Sequence, residues 1–314
     1  MQNELTHEKM KTENTVINNL NYTLHIQYQN DEKLRMEFNR MTRQFWEFDF
    51  ENYYQSGFWD SSCILYSLFD GERIISHTTV SLFTQTVEDQ VQNLLQLGTV
   101  MTDEEYRNQG LSRFLMERIQ ADFKEKADGM FLFANETVMD FYPKFGFVPV
   151  QEYEAFQKTA HLDHAKKHEA RKLNLDHSVD LELFETLVEN AFPNTSFPTK
   201  SKGLTFFYCY ANPEMGYKEA VYFIEKLNCA VVMEMDEQVL HIIDIFSPEP
   251  TDLKEVIAAF SDIPFTEVVL GFSPDHGNFE YRLWKDEDLQ LFVSHELQEI
   301  FEKYQLKIPA LSHT

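Results

Sequence analysis

Cysteine is scarce in this chain: three residues in 314, Cys63, Cys209 and Cys229. The number is odd and no pair has C-x-x-C spacing, so neither a disulfide framework nor a cysteine zinc site is indicated, and buried thiols are expected. Basic residues are also few, 27 Lys and Arg against 52 Asp and Glu, which gives a formal charge of −25. Binding to nucleic acid rests on basic surface that displaces counterions, so nucleic acid is not an expected partner. An acidic surface draws cations instead. Long apolar runs are missing, for no stretch reaches the ~18 uninterrupted apolar residues of a membrane span. The opening residues, Met1-Gln2-Asn3-Glu4-Leu5-Thr6-His7-Glu8, lack a basic-then-apolar signal pattern. A cytoplasmic location without a membrane partner is the expectation. His161, His164 and His168 are clustered, and the last two would share a helix face. Structural zinc normally takes four ligands and no second pair is present, so no metal is expected.

What the chain does have is apolar material for sizeable cores. Hydrophobic residues make up 43% and aromatics 14%, which argues for a folded rather than a disordered chain. Its length suggests two domains.

One short segment carries the most chemistry. Leu94 to Met101 is apolar enough for a buried strand, and Leu111, Leu115 and Ile119 recur at helical spacing. Between them lies Arg107-Asn108-Gln109-Gly110-Leu111-Ser112. A strand that feeds a helix through a glycine turn leaves unpaired amides and the positive end of the helix dipole facing outward, a natural seat for phosphate. Gly110 permits close approach of a ligand, and Arg107 can grip a phosphate oxygen in a fork. By itself the segment also fits a plain helix start with a solvated arginine. After the helix come the strand candidate Gly129 to Ala134, then Asn135, then Phe141-Tyr142-Pro143-Lys144-Phe145-Gly146-Phe147.

This pair of elements resembles the GCN5-related N-acetyltransferase (GNAT) superfamily, whose members bind acetyl coenzyme A. In that family an Arg-x-x-Gly-x-(Gly or Ala) turn holds the coenzyme pyrophosphate, and a later Tyr-x-x-x-Gly-Phe element closes the site. The resemblance puts Arg107, Asn108, Gln109, Gly110, Leu111 and Ser112 on the pyrophosphate. It puts Val100, Met101 and Thr102 beside the pantetheine arm and Tyr142 next to the thioester sulfur, with Asn135 in support. Ser112 departs from the usual Gly or Ala, and Pro143 directly after Tyr142 removes one helical amide and should keep that helix short or kinked. Two plain alternatives stay open: Tyr142 as a half-buried core aromatic and Asn135 as the cap of a helix starting near Thr137. Val100-x-Thr102 ahead of Tyr106-Arg107 is similar to the tandem-domain, Eis-like members.

The order of elements agrees with an α/β fold, an α+β mixed sheet in each of two tandem GNAT-like domains. Tyr22 to Gln27 reads as a strand and Glu32 to Trp46 as a helix, with a second helix through Tyr53 and Phe58. Strands Cys63 to Phe69 and Ile74 to Val80 flank an Asp70-Gly71 turn, a hairpin signal. The order then restarts: strand Ala170 to Leu175, helix Asp180 to Phe192, strands Ala220 to Ile224, Cys229 to Met235 and Leu240 to Phe246, helix Asp252 to Phe260, strand Glu267 to Phe272. Ser247-Pro248-Glu249-Pro250-Thr251-Asp252 stands where a second cradle would be, with prolines and carboxylates in place of Arg and Gly. The expected division is a catalytic domain at 1–157, a linker at 158–169 and a degenerate, non-catalytic GNAT-like domain at 170–314. An unrelated α+β second domain is the alternative.

The resemblance implies an N-acetyltransferase that moves an acetyl group from acetyl-CoA to a primary amine by direct attack in a ternary complex. The acceptor would be a small molecule or peptide, cationic to suit the acidic surface. Arg107, Arg113 and Lys144 are the local bases that could offset that acidity for a polyanionic coenzyme. An alkylamine with a pKa near ~10.4 must lose a proton before attack. Candidate bases are Glu47, Asp49, Glu51, His77 and Asp103, the first three in an aromatic run that could also be a plain amphipathic connector. Tyr142, with an intrinsic pKa near ~10, would assist the departing thiolate by hydrogen bonding. In Eis-like proteins the chain terminus reaches the active site with its carboxylate, which Thr314 could imitate; simple packing of the apolar tail is the alternative. An acyl-CoA-binding sensor without turnover is the other functional class.

Overall fold

The computed structural model describes residues 9–87, 90–158, 168–197, 199–214, 216–286 and 288–314. The chain forms two compact units, one of Met1–Val150 with Glu287–Glu299 and Thr314, the other of Gln151–Asp286 with Ile300–His313.

The first unit is built on an eight-stranded sheet in the order β1-β2-β3-β4-β5-β6-β15-β7. Its strands are β1 (Lys11–Ile17), β2 (Leu20–Ile26), β3 (Cys63–Asp70), β4 (Arg73–Val87), β5 (Gln90–Thr102), β6 (Gly129–Asn135), β7 (Phe147–Pro149) and the late strand β15 (Leu289–Ser294). All neighbours run antiparallel except β5 and β6. A parallel pair needs a crossover, and α3 (Leu111–Phe123) supplies it. Leu111, Leu115, Met116, Ile119 and Phe123 recur at helical spacing and pack on Leu95, Leu97 and Leu132 of the sheet. Helix α1 (Glu32–Trp46), capped by Asp31, brings Phe38 and Met41 to a separate cluster with Leu65, Phe69, Ile74 and Met101, and the short α2 (Glu51–Gln55) follows it. The central strand β3 is buried along seven of its eight residues, as expected for a strand with helices on both faces.

The second unit carries seven strands in the order β14-β8-β13-β12-β11-β10-β9. These are β8 (Glu152–Lys158), β9 (Ala170–Lys172), β10 (Val221–Ile224), β11 (Cys229–Asp236), β12 (Val239–Phe246), β13 (Glu267–Leu270) and β14 (Glu280–Trp284), with helices α4 (Ser178–Glu189), α5 (Lys202–Phe206) and α6 (Leu253–Ala258); α7 (His295–Lys303) follows β15. The plan repeats that of the first unit: β12 and β13 are its parallel pair and α6 is the crossover between them. Mixed sheets in two tandem units match the expected GNAT-like fold class.

The boundary between units does not fall at 157. Strand β8 pairs with β13 and β14 in the second sheet, while β15 returns from late in the chain to sit between β6 and β7 in the first. Most of the expected linker, 159–167, lies outside the described residues, and with it His161 and His164. His168 is described; it is buried, with Nε2 3.6 Å from Glu255 Oε2. Among the described residues no His, Cys, Asp and Glu cluster is arranged to hold a metal, and no helix is long and apolar enough to cross a membrane. All three cysteines are free and buried.

Candidate active site

The site begins where β5 and β6 part. Their parallel ladder runs from Leu94 paired with Gly129 to Leu97 paired with Leu132. Beyond it β6 continues to Asn135 with β15 on its other side, and β5 continues to Thr102 with β4 on its other side. The edge of β5 over Gly98 to Thr102 is therefore open toward β6 among the described residues. A bulge sharpens the break: His77 of β4 faces Met101 and Thr79 faces Gly98, so Thr99 and Val100 together oppose Thr78. The extra residue inverts the strand's facing. Leu95 and Leu97 join the core under α3, and Met101 would share their side in a regular strand, yet it joins the cluster under α1. Met101 is thus available only through its backbone, whereas Val100 and Thr102 are half-buried.

Thr102 leads into the cradle. Asn108 and Gly110 both take left-handed backbone, φ 62° and 79°, and Gly110 caps α3. Left-handed turns of this kind suit glycine and asparagine and gather amides in a concave loop. Arg107 is half exposed; its Nε donates to the Thr102 carbonyl at 3.3 Å, and Nη1 lies 3.3 Å from Glu104. Arg113 has a similar exposed pair with Glu117 at 3.5 Å. Exposed pairs of this kind contribute about 0–1 kcal/mol, so both guanidinium groups can turn to a phosphate. Gln109 is anchored twice: its side chain donates to Glu105 O at 3.1 Å, and its carbonyl accepts from Asn18 Nδ2 at 2.8 Å. Leu111 is core. Ser112, the departure from Gly or Ala, has a structural reason: its hydroxyl is 2.6 Å from Thr102 Oγ1, which in turn is 2.9 Å from Ser76 Oγ, tying the first turn of α3 to β5 and β4.

Tyr142 opens a short 3₁₀ turn, Tyr142–Phe145, with Pro143 at its start and Gly146 closing it in left-handed backbone. The proline thus gives the short helix expected. The turn sits against α3, for Gln120 Nε2 donates to Phe145 O at 2.8 Å and Arg113 lies over the Phe145 ring. The Tyr142 ring packs on Phe141, Phe147 and Phe292, and its hydroxyl has no hydrogen-bond partner among the described residues. Burial pushes its pKa up to about 12. Asn135 is at the end of β6, where its Oδ1 accepts from the Thr137 amide at 3.1 Å and from the Thr137 hydroxyl at 2.6 Å, the capping role foreseen as its alternative.

Four of the five candidate bases are engaged internally. Asp49 is bonded to Arg43. Glu51 accepts from Arg35 at 3.0 Å, Asn39 at 2.8 Å and Gln55 at 2.7 Å, and the Arg35 hydrogen bond lowers its pKa. Asp103 is bound to Arg73 at 2.6 Å. His77 is fully buried, and desolvation takes its pKa down to about 3. Glu47 is exposed in left-handed backbone at the C-terminus of α1. Thr314 lies against β5 one residue before the bulge: its hydroxyl is 2.6 Å from Gln96 Oε1, and a Cβ on Gly98 would come within 2.6 Å of its main-chain oxygen. The bulge was not legible from the apolar run Leu94 to Met101, where Gly98 inside a strand was the one signal; for Thr314 the only pointer was the resemblance to Eis-like proteins.

A family model described as "Acetyltransferase (GNAT) domain" matches residues 11–150. Residues 11–150 are thus similar to a GNAT domain. A GNAT domain implies transfer of an acyl group from acyl-CoA to an acceptor. The GNAT fold extends over both units in comparison with solved structures. A probable N-acyltransferase of unknown function from Enterococcus faecalis is 13% identical with a TM-score of 0.56, covering 94% of this chain and 75% of that one. Eis1 from Mycobacterium abscessus is 12% identical with a TM-score of 0.53, covering 90% and 73%. A GCN5-related N-acetyltransferase from Anabaena variabilis is 10% identical with a TM-score of 0.54, covering 86% and 72%. A search of curated proteins by sequence finds no match.

The second unit lacks the cradle chemistry. The β12–β13 ladder ends at Ile242 paired with Leu270, with Gly271 N donating to Ile242 O at 2.8 Å. At the start of α6 the Asp252 carboxylate accepts from the Lys254 amide at 2.9 Å, where the first unit has Gly110. A carboxylate there takes up the site an anion would use.

Proposed function

We propose that this protein is an N-acetyltransferase that uses acetyl-CoA to acetylate a primary amine, by direct attack in a ternary complex, with catalysis in the first unit. The observation that carries this reading is the opening between β5 and β6 immediately before a left-handed, arginine-bearing turn at the N-terminus of α3. The free edge over Val100, Met101 and Thr102 suits the amides of a pantetheine arm, which would add to β5 as a short strand does. The loop Arg107 to Ser112 would hold the pyrophosphate, with amides and helix dipole acting together. Tyr142 would donate its hydroxyl proton in a hydrogen bond to the developing thiolate; its raised pKa keeps it a donor throughout the physiological range. Asn135 would act indirectly, by fixing the turn that leads to Tyr142. A cationic acceptor suits the net charge of −25, which concentrates amines near the surface. The second unit, without a cradle, would be a degenerate GNAT-like copy with no catalytic role.

The deciding experiment incubates the purified protein with acetyl-CoA and a panel of small amines and peptides, following free thiol release and acetylated product by mass. Transfer to at least one amine, saturable in both substrates, is expected. Binding of acetyl-CoA by calorimetry with no product across the panel would make the protein a coenzyme sensor and overturn the enzymatic reading.

A further inference from the structure

A chain of buried polar side chains crosses the first unit and ends on the β5 bulge. Tyr28 OH is 2.6 Å from Ser67 Oγ, and Ser67 Oγ is 2.7 Å from His77 Nδ1. His77 Nε2 is 2.9 Å from Thr79 Oγ1 and 3.2 Å from Thr99 Oγ1, and the two threonine hydroxyls are bonded to each other. Tyr28, Ser67 and His77 are fully buried and Thr79 nearly so, with the Phe38 ring of α1 4.8 Å from the imidazole.

Hydrogen-bond accounting fixes the direction of the chain. Ser67 is the sole hydrogen-bond partner of Tyr28 OH among the described residues, so a buried Tyr28 proton is satisfied only if Tyr28 donates to Ser67. Ser67 then donates to Nδ1, and the proton of a neutral imidazole must sit on Nε2, which donates to the threonine pair.

The far end of the chain is strained. Thr99 is β-branched yet has φ 44°, in the left-handed region that such residues avoid. Strain of this kind persists only where the surroundings impose it. Thr99 Oγ1 is held by both Thr79 and His77.

We infer that His77 is a positioning residue of the transfer site: through its Nε2 proton it holds Thr99 in left-handed backbone, and Thr99 thereby fixes the bulge that opens β5 toward β6. This rests on the acetyl-transfer reading only for its kinetic consequence. His77 touches no reacting atom, and its neutrality suits it to be a fixed donor rather than a base.

The test reads backbone and kinetics separately. In ¹⁵N-labelled protein, His77 should show a protonated Nε2 and an acceptor Nδ1, and the Thr99 HN–Hα and Cα–Hα couplings should report positive φ. His77→Leu and Thr99→Val each remove one end of the bond; both should abolish the left-handed signature, and Thr99→Val tests the point even if His77→Leu fails to fold. His77→Gln keeps a donor and should retain it. Both disruptive variants should lower kcat by about 10²-fold, the scale of a small misplacement of reacting groups, and should raise the KM for acetyl-CoA, because the β5 edge they disturb is the one that takes the pantetheine arm. Glycine takes positive φ unaided, so His77→Leu should cost far less in a Thr99→Gly background. Unchanged Thr99 couplings in both disruptive variants, or an equal loss of kcat in the glycine background, would overturn the inference. A wild-type protein that transfers no acetyl group while the coupling changes appear would sink the transferase reading and leave the positioning role standing.

Discussion

Tyr142 joins two demands that usually conflict, burial and a free polar group. Its ring is core, packed on Phe147 and Phe292, while its hydroxyl lacks a partner among the described residues. A donor left in that state is available to a ligand atom that develops negative charge. Tyr142→Phe removes only the hydroxyl, so it should lower kcat by about 10²-fold or more and leave the acetyl-CoA dissociation constant nearly unchanged; an unaltered kcat would reject the role. His77 carries a second prediction at this scale. Its folded-state pKa of about 3 lies below the ~6.5 of an unfolded histidine, because burial disfavours the cation. A depressed pKa contributes stability that is present above pH ~6.5 and lost as pH falls toward 3. Integrated to pH 5, the loss is about 2 kcal/mol. Denaturant midpoints at pH 7 and pH 5 should therefore fall more for the wild type than for His77→Gln, and equal falls would show that His77 titrates normally.

At the scale of elements, the cradle and the bulge differ in how far they could be foreseen. The helix α3, its stripe Leu111, Leu115 and Ile119, and the turn before it were legible because each is local: apolar period, glycine and arginine all lie within a dozen residues. Arg107→Ala should weaken acetyl-CoA binding at least tenfold, since hydrogen bonds to charged groups contribute about 1.5–3 kcal/mol. Gly110→Ala should destabilise by more than about 1 kcal/mol, because alanine is strained at φ 79°. Calorimetry with acetyl-CoA and thermal melts separate the two effects. The bulge was not legible, because it depends on which residue of β4 faces which of β5, and the apolar run Leu94 to Met101 fits an unbroken strand equally well. The close contact at Gly98 follows from the same geometry. Gly98→Ala would drive a Cβ into the Thr314 main chain, and overpacking of this kind costs about 1–3 kcal/mol. Deleting Thr314 should relieve that cost in the alanine variant, a non-additivity that melting temperatures of the four proteins would reveal.

For the whole molecule, the decisive pairings join residues far apart in sequence, which is why a division at 157 looked natural. Local signals end a domain where the apolar pattern lapses, but they carry no information about which strand completes which sheet. Val150 ends the first run of the first unit, Glu152 begins a strand of the second, and Leu289–Ser294 supplies the strand that β6 and β7 both pair with. β7 is three residues long and pairs only with β15 among the described residues. Without β15, β6 would become an edge strand along Phe131 to Asn135, β7 would lose the pairing of Phe147 to Pro149, and Tyr142 would lose the Phe292 ring packed on it. Exposed strand edges of apolar sequence template aggregation. A chain of residues 1–157 should therefore express poorly or unfold without a cooperative transition, and it should fail to bind acetyl-CoA. Adding residues 287–299 in trans or through a flexible linker should restore a cooperative melt, whereas a stable, coenzyme-binding 1–157 fragment would show that the first sheet completes itself without β15.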